Sequence, residues 1–305
     1  MQSAMAAWRD WLVVSGKSPT TVEAYVWDVG ALARASPGLL GLRQAQPGDF
    51  TSERLLAYLA QRKEGGVGES ALRRAVAAFR SFFRHALGPS TGSGSGPITP
   101  AHALPWPKVH KRKQRVLDWD GALAVLSACD TSTHRGTRDL AILLLILDSS
   151  IRASALCRLE LRKVDLAKRR YVVIDKGGDE IERGFSPATA HFLGQWLALR
   201  PAHARPEVTA VFVGLGGLKP GTPLTPWGLR AIFRKIGKRA GLAQGFSPHD
   251  LRRSFAKFSH LLGAPSELVR IMGGWKSQAE MRPYTESLGP GDFDPYFPVT
   301  KLLGE

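Results

Sequence analysis

Cysteine is nearly absent from this chain: Cys129 and Cys157 are the only two among 305 residues. They provide no basis for a disulfide framework or a thiolate metal cage, and they fit a reducing, cytoplasmic compartment. The apolar stretch Leu140 to Leu147 falls far short of the ~20 residues that cross a bilayer and reads as a buried helix. The opening residues Met1 to Asp10 lack the basic start and sustained apolar core of a secretory signal. There is no Gly-x-x-x-x-Gly-Lys-Ser/Thr phosphate loop and no closely spaced His/Asp/Glu cluster, so neither nucleotide hydrolysis nor two-metal catalysis is indicated. Acidic residues are also scarce, 26 against 42 Lys plus Arg, which gives a formal net charge of +16. That surplus favours a polyanionic partner, bound through phosphate contacts with release of counterions.

The positive charge is unevenly placed. Residues 108–115 read Lys-Val-His-Lys-Arg-Lys-Gln-Arg, with five Lys or Arg side chains and no acid. Lys108, Lys111, Arg112, Lys113 and Arg115 therefore suit a strap along a DNA backbone, a solvated basic linker being the plainer reading. Just upstream, Gly88 to Pro97 is rich in Gly and Ser, and Pro100, Pro105 and Pro107 follow. Such a stretch holds neither a helix nor a central strand; its Gly/Ser half is expected to be flexible and its Pro half extended. The expected organisation is one domain over 1–88, a linker over 89–115, and a larger domain with a C-terminal tail over 116–305.

Helical periodicity recurs near residues 3–14, 20–35, 51–62 and 69–86, which predicts a small bundle. In the last segment Arg73, Arg74, Arg80 and Arg84 interleave with Leu72, Val76, Phe79, Phe82 and Phe83. The aromatics are expected in the core and the arginines are candidates for DNA contact. Beyond the linker, helices are predicted over 119–128, 137–147, 188–199, 227–240, 251–262 and 266–272. Tyr171 to Asp175 and Glu180 to Phe185 flank Lys176-Gly177-Gly178-Asp179 as a β-hairpin would, and Val208 to Val213 invites a further strand. The fold class expected is mostly α with a small antiparallel β-sheet.

The chemistry concentrates between Ser247 and Thr285. His249 and Arg252 stand three apart in a segment that Ser247 can cap as a helix, which puts both side chains on one face. Arg offers a rigid fork of donors to phosphate oxygens, His exchanges protons near neutral pH, and the hydroxyl of Tyr284 can act as a covalent nucleophile. Arg152, following the apolar run, is a second candidate phosphate clamp, and Lys176 sits at the hairpin tip. Trp275 can serve as core while its indole N–H donates to a phosphate oxygen.

Arg152, Lys176, His249-x-x-Arg252, Gly274-Trp275 and Tyr284, in this order, resemble the catalytic motif of the tyrosine recombinase (phage integrase) family over roughly residues 115–286. Trp11-Leu12 through Ser18-Pro19-Thr20-Thr21-Val22 to Tyr25 is similar to the opening helices of that family's core-binding domain. The resemblance implies an N-terminal core-binding domain and an α+β catalytic domain closing on duplex DNA as a C-shaped clamp. It also selects Tyr284 over Tyr296 as nucleophile, from the spacing to Trp275. One position departs: three residues after Arg152, where the family usually has an acid, stands Ala155. This removes a partner that would orient Arg152, with Asp148 and Asp175 as possible substitutes.

The implied activity is site-specific strand exchange through a 3′-phosphotyrosyl intermediate, with no metal or cofactor. Alternatives are a type IB topoisomerase-like enzyme and a catalytically weak protein that occupies recombination sites. After the Gly289-Pro290-Gly291 joint, Phe293, Phe297, Leu302 and Leu303 make the tail apolar. Exchange between two duplexes, each cut at two places, implies a homotetramer on two DNA sites, and in the family such a segment often docks on a neighbouring protomer; docking back on its own domain is the alternative.

Overall fold

A computed structural model describes residues 1–40, 45–88, 99–109, 116–174, 180–217, 219–275, 293–294 and 296–303. These fall into two units, Met1–Arg112 and Lys113–Glu305. In the first, helices α1 (Gln2–Val14), α2 (Pro19–Leu40), α3 (Ser52–Glu64) and α4 (Glu69–Leu87) form a bundle. The most amphipathic of these is α4: Leu72, Val76, Phe79, Phe82 and Phe83 are all buried. Trp8 of α1 meets Phe82 edge-on at 5.3 Å and donates its indole N–H to Ser81 at 3.1 Å. Burying each such aromatic contributes about 2 kcal/mol, which is why the bundle forms around this stripe.

The described part of the proline-rich stretch packs on the first unit. Ala101 and Leu104 are buried with its core. Arg80 donates to the carbonyls of His102 (3.1 Å) and Leu104 (2.6 Å), and Ser52 donates to that of Pro100 at 2.9 Å. Prolines leave neighbouring carbonyls without local N–H partners, and side chains of α3 and α4 supply them. The Gly/Ser half lies outside the described residues.

The second unit is built around α6 (His134–Ser149), which is buried on every side from Gly136 onward. Around it lie α5 (Trp119–Ser127), α7 (Ala153–Arg158), α8 (Pro187–Leu199), α9 (Pro226–Arg239), α10 (Pro248–Leu261) and α11 (Ser266–Gly273). Strands β1 (Val164–Asp165), β2 (Arg170–Ile174) and β3 (Glu180–Gly184) form an antiparallel sheet in that order. Val208 to Val213 is not a strand, contrary to expectation. It makes only isolated bridges, Ala210 with Glu160 and Val213 with Pro223.

The tail folds back onto its own unit in this single chain. Phe293 and Phe297 are buried in a cluster with Phe255, Leu268, Val269 and Met272. Asp294 pairs with Arg169 and Arg170 at 3.5 and 3.3 Å. A last helix, α12 (Pro298–Leu303), begins beside Asp148, which accepts the Val299 N–H at 3.2 Å; Leu303 remains exposed.

Candidate active site

Two helix ends meet at the site. Helix α6 stops where Ser150 adopts a left-handed conformation (φ 54°), and α11 stops at Gly274 with φ 61°. A helix leaves its last carbonyls unpaired and partly negative, so both ends attract cations. Arg152 donates to the Gly274 carbonyl at 2.9 Å. Arg252 donates to the carbonyls of Ser150 and Gly273. Its place follows from the start of α10, where Ser247 and Asp250 form a reciprocal capping box and Pro248 opens the helix. Trp275 lies with its ring 4.9 Å from the Arg252 guanidinium, and a Cβ added at Gly273 would overlap that ring. Gly273 is thus what lets the indole fold over Arg252.

The structure therefore brings together Arg152, Arg252 and Trp275, with exposed His249 one turn before Arg252. Burial, then Arg152 and Arg183, pushes the Arg252 guanidinium down to about 9, so it stays charged at neutral pH. Arg152 is lowered in the same direction by burial and then by Arg183. Although His249 is exposed at the surface, partial desolvation of its ring lowers it first, then Arg253 and Arg252, so its imidazole is neutral and ready to accept a proton. Lys176 and Tyr284 lie outside the described residues; the strands before and after residues 175–179 pair in register, Ile174 with Glu180.

Asp148 does not take the place of the acid missing at 155. It is fully buried and accepts from Ser186 N and Oγ (2.9 and 2.6 Å), Thr189 Oγ1 (2.6 Å) and Val299 N. It ties α8 and the tail to α6. Asp175 lies outside the described residues.

Two features escaped the sequence reading. Arg183 of β3 is 2% exposed and donates to the carbonyls of Ser149 (2.9 Å) and Met272. Strand alternation could have revealed it, since Ile181, Arg183 and Phe185 share one face. The other is α9, where Trp227, Arg230, Arg234 and Lys238 recur at helical spacing and are all exposed, Trp227 at 77%.

Of the arginines expected to contact DNA, Arg74 is paired with buried Asp28 at 2.7 Å. Arg73 and Arg80 lie over Trp106, at 5.4 and 4.5 Å from its ring centre. Arg84 and Lys108 are exposed, and Lys111, Arg112, Lys113 and Arg115 lie outside the described residues.

Two clustered guanidinium groups beside an imidazole and an indole offer the kind of donors that the oxygens of a phosphodiester accept. Residues 115–289 match the phage integrase family, and residues 6–88 match its N-terminal SAM-like domain. The chain belongs to the phage integrase family. It is 35% identical over 217 residues to tyrosine recombinase XerC of Pseudomonas aeruginosa strain LESB58, spanning 71% of this chain and 68% of that protein. Over 290 residues it is 33% identical to tyrosine recombinase XerC of Corynebacterium efficiens, with 93% and 87% covered. A lambda integrase tetramer bound to a Holliday junction shares the fold, with a TM-score of 0.69 at 19% identity over 92% of this chain and 78% of that one. Family membership makes the chain a site-specific DNA recombinase and favours neither the topoisomerase-like nor the non-catalytic reading.

Proposed function

We propose that the chain cuts and rejoins duplex DNA through a 3′-phosphotyrosyl bond on Tyr284. The hydroxyl of Tyr284 attacks the scissile phosphorus and the bond to the 5′-oxygen breaks. One phosphoester replaces another, so no external energy is consumed. A 5′-hydroxyl from a second strand then reverses the step. Arg152 and Arg252 offset charge on the nonbridging oxygens, where preorganised donors act most strongly, and the Trp275 indole N–H supplies a further donor. His249 takes the tyrosine proton and Lys176 returns one to the leaving 5′-oxygen. The observation that carries this reading is the convergence of Arg152, Arg252 and Trp275 on two helix ends. Covalent capture on a nicked duplex, resolved on a denaturing gel, tests it.

A neutral His249 gives this chemistry a pH signature. Because its imidazole is held below its ordinary value, mainly by partial desolvation, the base form is lost only on acidification past that lowered value. Adduct formation by the wild-type chain is expected to be flat through neutral pH and to fall in acid, and His249→Gln should be slow throughout. A wild-type rate that still climbs between pH 7 and 8, by about tenfold per unit as a group titrating above that range would drive it, would rule out His249 as the base.

Duplex contacts are assigned to the exposed face of α9, to Arg84 and to the basic run Lys108, Lys111, Arg112, Lys113 and Arg115, with Arg73, Arg74 and Arg80 supporting them from α4. Replacing Lys111, Arg112 and Lys113 with Ala is expected to weaken cognate and random duplexes alike and to reduce the salt slope by about 3. A loss confined to the cognate site would contradict a backbone role. Four copies on two duplexes, each with its tail docked on a neighbour, complete the proposed assembly.

A further inference from the structure

The described acceptors of the three guanidinium groups run in order along two helix ends: Ser149 and Met272 take Arg183, Ser150 and Gly273 take Arg252, and Gly274 takes Arg152. We infer that Arg183 is a positioning residue of the strand-transfer reaction, clipping the end of α6 to the end of α11 and so setting the geometry of the phosphate clamp. The inference rests on the strand-transfer reading above.

Both described hydrogen bonds of Arg183 go to backbone carbonyls of the two helix ends, so its contribution is assigned to what it holds. Ser149 lies three residues before Arg152, and Met272 lies three before Trp275, on the chain that continues to Tyr284. One terminal nitrogen, Nη1, therefore fixes the starting points of both the clamp and the nucleophile segment. A guanidinium suits this task because the two N–H bonds of a single planar Nη1 diverge toward separate oxygens. The Ser149 end is held a second way, since Tyr171 donates to its Oγ at 2.7 Å. Arg183 also acts through its charge: it depresses both Arg152 and Arg252. That mutual repulsion makes the pocket more favourable for an arriving dianionic transition state than for the empty site. Carbonyls at helix ends thus do locally what a carboxylate at position 155 would do by direct contact.

The test compares wild type, Arg183→Gln and Arg183→Lys on a nicked duplex chosen from a randomised library by covalent capture with the wild-type chain. Single-turnover adduct formation is measured at saturating enzyme, binding by gel shift, and folding by thermal melting. Arg183→Gln is expected to slow adduct formation by roughly 100-fold, as a small misplacement of reacting groups does, with duplex affinity unchanged. Arg183→Lys should recover part of the rate, since it restores the charge and an N–H donor group without the planar guanidinium geometry. Wild-type rates in both variants, or losses matching only the unfolded fraction, would overturn the inference. If Arg183→Gln does not fold, Arg183→Lys decides: a wild-type rate refutes, and a slowed rate in a folded protein supports. Failure of the wild-type chain to capture any duplex would instead overturn the strand-transfer reading itself.

Discussion

Tyr284→Phe is expected to bind duplex DNA as the wild type does and to form no covalent adduct. The substitution removes one oxygen and leaves the ring, so any loss reports on the nucleophile alone. Nothing else in the proposed mechanism replaces it: Arg152, Arg252 and Trp275 stabilise charge but cannot carry the phosphoryl group. Tyr296, the competing hydroxyl, has its ring 6.1 Å from Phe293 within the aromatic cluster under the tail. Tyr296→Phe should therefore retain the adduct. Both are read on a denaturing gel with a nicked duplex whose cleaved strand diffuses away. An adduct persisting in Tyr284→Phe, or vanishing only in Tyr296→Phe, would reassign the nucleophile. By comparison Arg152→Ala, which keeps the nucleophile, should slow the step by about 10² to 10³.

Elements with a strong local signal were legible before the structure. The stripe Leu72, Val76, Phe79, Phe82 and Phe83 announces α4, and Ser247 followed by Asp250 announces the start of α10, because capping and burial are written within a few residues. The β2–β3 hairpin was equally plain from its Gly-rich turn. Features that depend on distant partners were not. Val208 to Val213 carries the apolar composition of a strand but finds only isolated partners at Glu160 and Pro223. The short helix α7 was hidden because its six residues are too few to show a period. Arg74 and Arg80 read as free basic groups until Asp28 and the carbonyls of His102 and Leu104 were brought beside them. Of the site, Arg152, His249, Arg252 and Trp275 could be named from motif spacing. That two helix ends receive these guanidinium groups is a fact of tertiary packing, which no periodicity encodes.

Deleting residues 292–305 is expected to destabilise the catalytic unit severely. Phe293 and Phe297 are 0% and 1% exposed and Val299 is 0%, so the deletion opens a cavity over Phe255, Val269 and Met272 and frees Asp148 from one of its donors. Truncating a single buried Phe costs about 3–5 kcal/mol, and removing this group approaches the 5–15 kcal/mol of a whole domain. A large fall in melting temperature is therefore the first expected result. The second concerns assembly. If a neighbour's tail fills the same cleft in the tetramer, the burial is conserved when tails exchange, and only the connection through residues 289–291 changes. A synthetic peptide of residues 290–305 should then raise the melting temperature of the truncated chain in a concentration-dependent way, because a ligand bound only to the folded state stabilises it. An unchanged melting temperature after deletion would place the tail elsewhere in solution. Failure of the peptide to stabilise a truncated chain that still folds would show that the cleft accepts only its own covalently joined tail, and docking between protomers would have to be abandoned.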